Sequence, residues 1–228
     1  MIKYYSHERL EEFADELNRR YDKERLIKAS QIDPYDLIDL VGARLSLDYI
    51  SPDNSFLGAT VFENIELPIW PQKPFYTGLL PEYKFFYENT IIIDRDLAES
   101  GLEQDCFKFN FTVPHECFHL CKHRYFFQQG IHYSKAGFQK YGMNENLNEI
   151  DKIEAQANYA AAAFLMPRKA VFRLAKRMLH YRNKRIPFGY SIKTNIKEMG
   201  KEFGVNYTPM VYRLQALDIL EENFNSFL

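Results

Sequence analysis

Cysteine, tryptophan and uninterrupted apolar sequence are all scarce in this chain of 228 residues. Cysteine occurs three times (Cys106, Cys117, Cys121), too few and too odd a number for a disulfide framework, so a reducing cytoplasm is expected. Apolar runs fall short of the roughly 20 residues that a membrane-crossing helix needs. The longest small-and-apolar stretch, Tyr159 to Met166, stops at Pro167. The opening MIKYYSHERLEEFADEL is charged almost from its first residue and lacks the apolar centre of a secretory leader, so neither export nor a membrane partner is expected. Tryptophan occurs once, yet 19 Phe and 16 Tyr make the chain far too aromatic for disorder. The length suits one large domain, or one domain with a small appendage, around a substantial core.

Net charge is also small, a formal −2, but it hides an asymmetry. From Arg168 to Arg213 twelve Lys and Arg stand against two acids, Glu198 and Glu202, a balance of +10 that leaves −12 for the remainder. Such polarity points to different partners for the two parts, or to contact between them.

Periodicity predicts a charged amphipathic helix over His7 to Ala29, with Leu10, Phe13, Leu17, Tyr21 and the stem of Arg25 on one stripe. Asp33 and Pro34 open a second helix that Gly42 ends. From Arg44 to Asp94, short runs such as LSLDYI, GATVFE and TIIID predict a small, mostly antiparallel sheet. Between them Pro68, Pro71, Pro74 and Pro81 predict a long irregular loop. Helical signals then continue nearly to the C-terminus, apart from a polar stretch over Gln128 to Asn148. The class is therefore α+β.

His115-Glu116-Cys117-Phe118-His119 is an HExxH motif. On a helix, side chains at i and i+4 lie about 40° apart around the axis, so both imidazoles reach one metal ion. Glu116 stands beside them, placed to hold a water and take its proton. Chance alone produces the motif in about one per cent of shuffled chains of this composition, so context must carry it. Thr112 is expected to cap the helix and Pro114 to sit in its first turn, after an aromatic FKFNF that buries against the core. A third ligand is sought among Glu145, Glu149, Asp151 and Glu154. Glu154 stands out because Ala155, Ala157 and Ala160 to Ala163 follow it, and small side chains let two helix axes approach closely. Two His and one carboxylate suit Zn2+, with an open position for water, and also accept manganese, iron or cobalt.

Phe111 to His119 resembles the FT-x-x-HE-x-x-H segment of the ImmA/IrrE family of metallopeptidases. Glu154 to Pro167 is similar to that family's E-x-x-AN-x-FA-x-x-LLMP signature, and Phe203 to Leu220 to its C-terminal helix pair. Pro114, Cys117, Phe118 and Ala160 depart from the usual residues, Phe118 standing where Gly is usual. The resemblance implies a cytoplasmic zinc peptidase in which His115, His119 and Glu154 bind the metal and Glu116 is the general base. It also implies a protein substrate, a DNA-binding repressor whose cleavage releases stress-response or mobile-element genes. The expected architecture is a metallopeptidase domain over residues 1–167 and a basic helical subdomain over 168–228 packed on it, ending in a helix-turn-helix-like pair.

An oxyanion donor besides the metal is expected from Tyr159, His132, Tyr133 or His123; His123, one turn beyond His119, is alternatively a ligand or a side chain that orients one. Cys117 and Cys121 lie off the histidine stripe and read as buried structural thiols. Direct nucleic-acid binding through the basic segment 168–213, carried by Arg182, Lys184, Arg185 and Arg213, is the competing non-enzymatic reading, less favoured than a protein-docking role. A toxin-like peptidase silenced by an antitoxin would share the same chemistry.

Overall fold

The computed structural model describes residues 4–71, 80–127, 130–135 and 148–221. Helix α1 (His7–Asp22) and a 3-10 turn (Lys23–Leu26) lead to α2 (Pro34–Val41). Strands β1 (Arg44–Asp48), β2 (Phe56–Val61), β3 (Ile65–Ile69), β4 (Glu82–Phe86) and β5 (Thr90–Asp94) follow. Then come α3 (Arg95–Glu99), α4 (Glu103–Lys122), β6 (Ile131–Lys135), α5 (Glu149–Leu165), α6 (Arg168–Met178), α7 (Tyr190–Phe203) and α8 (Tyr207–Ala216). The α+β class stands. No helix among the described residues is long and apolar enough to cross a membrane.

The first helix ends earlier than its period predicts: Asp22 adopts extended backbone and caps the following turn through Glu24 N–H. The second is as expected, with Asp33 accepting from Tyr35 N–H and Gly42 closing it at φ 70.

The sheet is mixed, in the order β1-β5-β2-β6. β1 pairs parallel with β5, whereas β2 runs antiparallel to both β5 and β6. The parallel pair escapes sequence reading because both faces of β5 are covered: Ile91 and Ile93 face the helices while Ile92 faces a second cluster with Ala59, Val61, Leu67 and Phe86. That second cluster lies under a hairpin, β3 with β4, in the segment expected to be an irregular loop. Pro68 lies within β3, and a two-stranded sheet has edges on both sides where a missing N–H is tolerated. Pro74 lies outside the described residues. β6 falls within the polar stretch that interrupts the helical signals and forms the edge beyond β2.

Helix α4 begins at Glu103, not at Thr112, so Pro114 lies inside it rather than in its first turn. The FKFNF run is thus helical, with Phe107, Phe109 and Phe111 all buried. Thr112 caps nothing; its hydroxyl donates to the Lys108 carbonyl at 2.9 Å. Helix α4 packs on β2 and β5 on one side and against α5 on the other, and α5 also packs on α1. The alanines of α5 make this possible: Ala157 and Ala160 to Ala163 are all buried. The carbonyls at its C-terminal end are satisfied by distant donors, Arg25 to Leu165 O at 3.0 Å, Asn18 to Phe164 O at 3.0 Å and Arg213 to Met166 O at 2.9 Å. One apolar cluster joins α1 with α4 to α8, so residues 168–221 share the core of what precedes them.

Candidate metal centre

His115 and His119 lie on the buried middle of α4, and Glu154 enters from the second turn of α5. Their donor atoms converge: His115 Nε2 is 2.9 Å from His119 Nε2 and 3.4 Å from Glu154 Oε2, and His119 Nε2 is 3.2 Å from Glu154 Oε1. A tetrahedral ion bound at about 2.1 Å sets its ligand atoms about 3.4 Å apart, close to this spacing. Of the other carboxylates considered, Glu149 is exposed on the preceding turn and Asp151 is half-buried outside the cluster, while Glu145 lies outside the described residues.

The hydrogen bonds behind the ligands set their tautomers. His115 Nδ1 lies 3.0 Å from Asn158 Oδ1, an acceptor, so Nδ1 carries the proton and Nε2 turns a lone pair inward. His119 Nδ1 lies 2.9 Å from His123 Nδ1, and donation in that direction leaves its Nε2 free in the same way. Two imidazole lone pairs and a carboxylate then face one another in a buried space, an arrangement that a cation resolves. The three side chains could therefore hold a metal ion.

Charge in the cluster follows burial first. Burial would raise the Glu154 carboxyl, but the facing imidazoles and their hydrogen bonds hold it well below the ordinary range. His119 is driven well below the usual imidazole value by burial. His115 is buried as well, yet Glu154 overrides that and raises it. Burial also lowers His123, to about 3, so it is a neutral hydrogen-bond partner.

Glu116, beside His115 on α4, sets its carboxylate against the sheet. Its Oε2 accepts from the Thr60 hydroxyl at 2.7 Å, and its Oε1 is buried without a partner among the described residues. Burial raises this carboxyl above its ordinary value. Gly58 makes room for it: a Cβ there would stand 2.5 Å from Glu116 Oε1.

Neither a protein-family model nor a curated protein matches the chain.

The expected accessory residues divide. His132 joins the cluster, its Nε2 2.5 Å from Glu154 Oε1 and its ring stacked on Phe127 at 4.2 Å. His123 is brought behind His119. Tyr133 is not brought in: on β6 the side chains alternate, so His132 and Ser134 face α4 while Tyr133 packs on Phe56 on the opposite face. Tyr159 is not brought in either. Five residues beyond Glu154 it is rotated about 140° around α5, where its ring stacks on His7 and its hydroxyl donates to Glu11.

Phe118, which stands where the resemblance has Gly, faces α1 and meets the rings of Phe13 and His123 edge-on. Cys117 is buried as expected, but Cys121 is exposed, as is Cys106. Arg213, expected at the basic surface, is fully buried and forms a bidentate pair with Glu11 at 2.5 and 3.0 Å. It is therefore withdrawn from any nucleic-acid contact, while Arg182, Lys184 and Arg185 are exposed.

Asn158 was within reach of sequence reasoning, since it lies four residues after Glu154 and shares its helix face. Gly58 and Thr60 carried no such signal, because only strand pairing brings them to Glu116.

Proposed function

We propose that this protein is a metal-dependent endopeptidase of the ImmA/IrrE type, acting in the cytoplasm on a specific regulatory protein such as a DNA-binding repressor. The observation that carries the reading is the convergence of His115, His119 and Glu154 with Glu116 alongside, buried but unsatisfied at Oε1. Two sequence segments resembling that family supply all three ligands and the base in the expected order. In this reading α4 and α5 form the metallopeptidase core, and α7 with α8 is the helix-turn-helix-like pair, serving as scaffold.

His115, His119 and Glu154 would hold the ion, zinc by the chemistry of the donor set. Such an ion supplies a Lewis acid that acidifies water toward a pKa of about 7 and polarises a carbonyl. Glu116 Oε1 accepts a proton from water as the water oxygen bonds to the peptide carbon. It then delivers that proton to the amine nitrogen as the C–N bond breaks. A carboxyl raised by burial suits a group that must both take and release a proton. Thr60 fixes Oε2 and so leaves Oε1 as the working atom. His132, beside Glu154, is the donor best placed to stabilise the oxyanion.

The test is N-terminal labelling and mass spectrometry of the source cell's proteome after incubation with zinc-loaded protein. New N-termini from one or a few proteins, absent with Glu116→Gln and with His115→Ala, are expected. Identical N-termini in all three samples overturn the reading.

A further inference from the structure

Far from the metal centre, a cleft of about 630 Å³ opens between the 3-10 turn and α6. Its floor is apolar, formed by the buried Ala170 and Leu174, and Ile27, 49% exposed, lines its mouth. Lys28, Arg173 and Arg177 rim it, against two acids, Glu24 and Glu202. Arg173 and Arg177 are four apart and so share one face of α6. These cations are weakly engaged. Arg177 lies 3.7 Å from Glu202 with both side chains largely exposed, Arg173 donates to the Ile27 carbonyl at 3.2 Å, and Lys28 has no ion-pair partner among the described residues.

The wall is preformed. Arg25, buried beneath it, donates to the carbonyls of Ser30 and Gln31 on one side and of Leu165 on the other. The turn carrying Ile27 and Lys28 is thereby tied to the end of α5, which lowers the ordering cost of binding there.

We propose that this cleft docks an acidic amphipathic peptide segment of a partner protein. Apolar side chains of the segment lie on Ile27, Ala170 and Leu174, and its carboxylates meet Lys28, Arg173 and Arg177. The chemistry favours such a segment over nucleic acid. No aromatic ring lines the cleft to stack a base, and the apolar floor offers nothing to a phosphate. Glu24 and Glu202 repel a uniform polyanion, whereas a peptide can space its carboxylates around them. The +10 balance of residues 168–213 adds long-range attraction for an acidic partner.

Random dodecapeptides displayed on phage, panned on the full-length protein, provide the test, with binding rather than peptidase activity as the readout. Enriched sequences are expected to combine Asp or Glu with Leu, Ile or Phe. A labelled enriched peptide, followed by fluorescence anisotropy, is expected to bind at least about tenfold more weakly to Lys28→Glu and to Arg177→Glu. It should bind to Lys184→Glu within about threefold of the parent protein, because that exposed site outside the cleft changes only the screened long-range field. Unfolding midpoints of the three variants should match the parent protein. Absence of enrichment, enriched peptides without carboxylates, or equal weakening by Lys184→Glu overturns the proposal. So does tighter binding of short duplex DNA that Arg177→Glu abolishes.

Discussion

Replacing Glu11 by Gln leaves the guanidinium of Arg213 fully buried without a counter-charge. In the native protein this pair is bidentate, Nη1 to Oε1 at 2.5 Å and Nη2 to Oε2 at 3.0 Å. Tyr159 donates a third hydrogen bond to the same carboxylate at 2.9 Å. Removing one partner of a buried pair costs about 3–5 kcal/mol, because the remaining charge is stranded. The amide keeps one oxygen for Arg213, so a loss near the lower end, about 3 kcal/mol, is expected. For a chain of this size that is about 6–12 °C in Tm. Urea denaturation followed by far-UV circular dichroism measures it directly. The pH dependence supplies a second constraint. Burial would raise the Glu11 carboxyl, but Arg213 and the hydrogen bonds lower it on balance. A depressed folded-state pKa means stability that is fully present above the unfolded value, about 4.3, and lost as pH falls through the folded value. The gap between parent and Glu11→Gln should therefore be constant near neutrality and narrow in acid. Glu11→Leu with Arg213→Met should recover part of the loss, since an apolar pair strands no charge, though Tyr159 and Met166 lose partners. A single variant within about 1 kcal/mol of the parent at pH 7, or a gap that widens in acid, would refute the reasoning.

Asn158→Ala removes the acceptor behind His115 and should weaken zinc binding about 10–100-fold, read by competition with a chromophoric chelator; unchanged affinity would deny Asn158 its orienting role. Gly58→Ala places a methyl group against Glu116 Oε1 and should lower turnover of an identified substrate about 100-fold while zinc content stays at the parent level; full turnover would mean that Glu116 is not the working base. Arg25→Met strips the donors from Leu165 O, Ser30 O and Gln31 O and should cost about 2–4 kcal/mol in urea denaturation; a neutral result would show that water replaces the guanidinium.

Much of the site was legible because it is local. His115, Glu116 and His119 depend on one helix, and the four-residue spacing that aligns two imidazoles holds wherever that helix begins. Misplacing its start at Thr112 instead of Glu103 therefore left the motif intact. Glu154 was reached through the alanines that let α5 approach α4. The hairpin β3–β4 was missed because proline reads as a strand breaker, yet a two-stranded ribbon has edges that accept it.

The sequence by itself determined the second helix with its caps at Asp33 and Gly42, and the ligand-bearing faces of α4 and α5, since these follow from bonds and contacts within a turn or two. Tertiary structure alone decided which distant groups meet. Glu11 finds Arg213 across 202 positions, and Gly58 and Thr60 reach Glu116 only through the strand order β5-β2-β6. The choice between His132 and Tyr133 rests on register. On a strand a slip of one residue exchanges the two faces, and only the observed pairing of Thr60 with His132 puts an imidazole rather than a phenol beside Glu154.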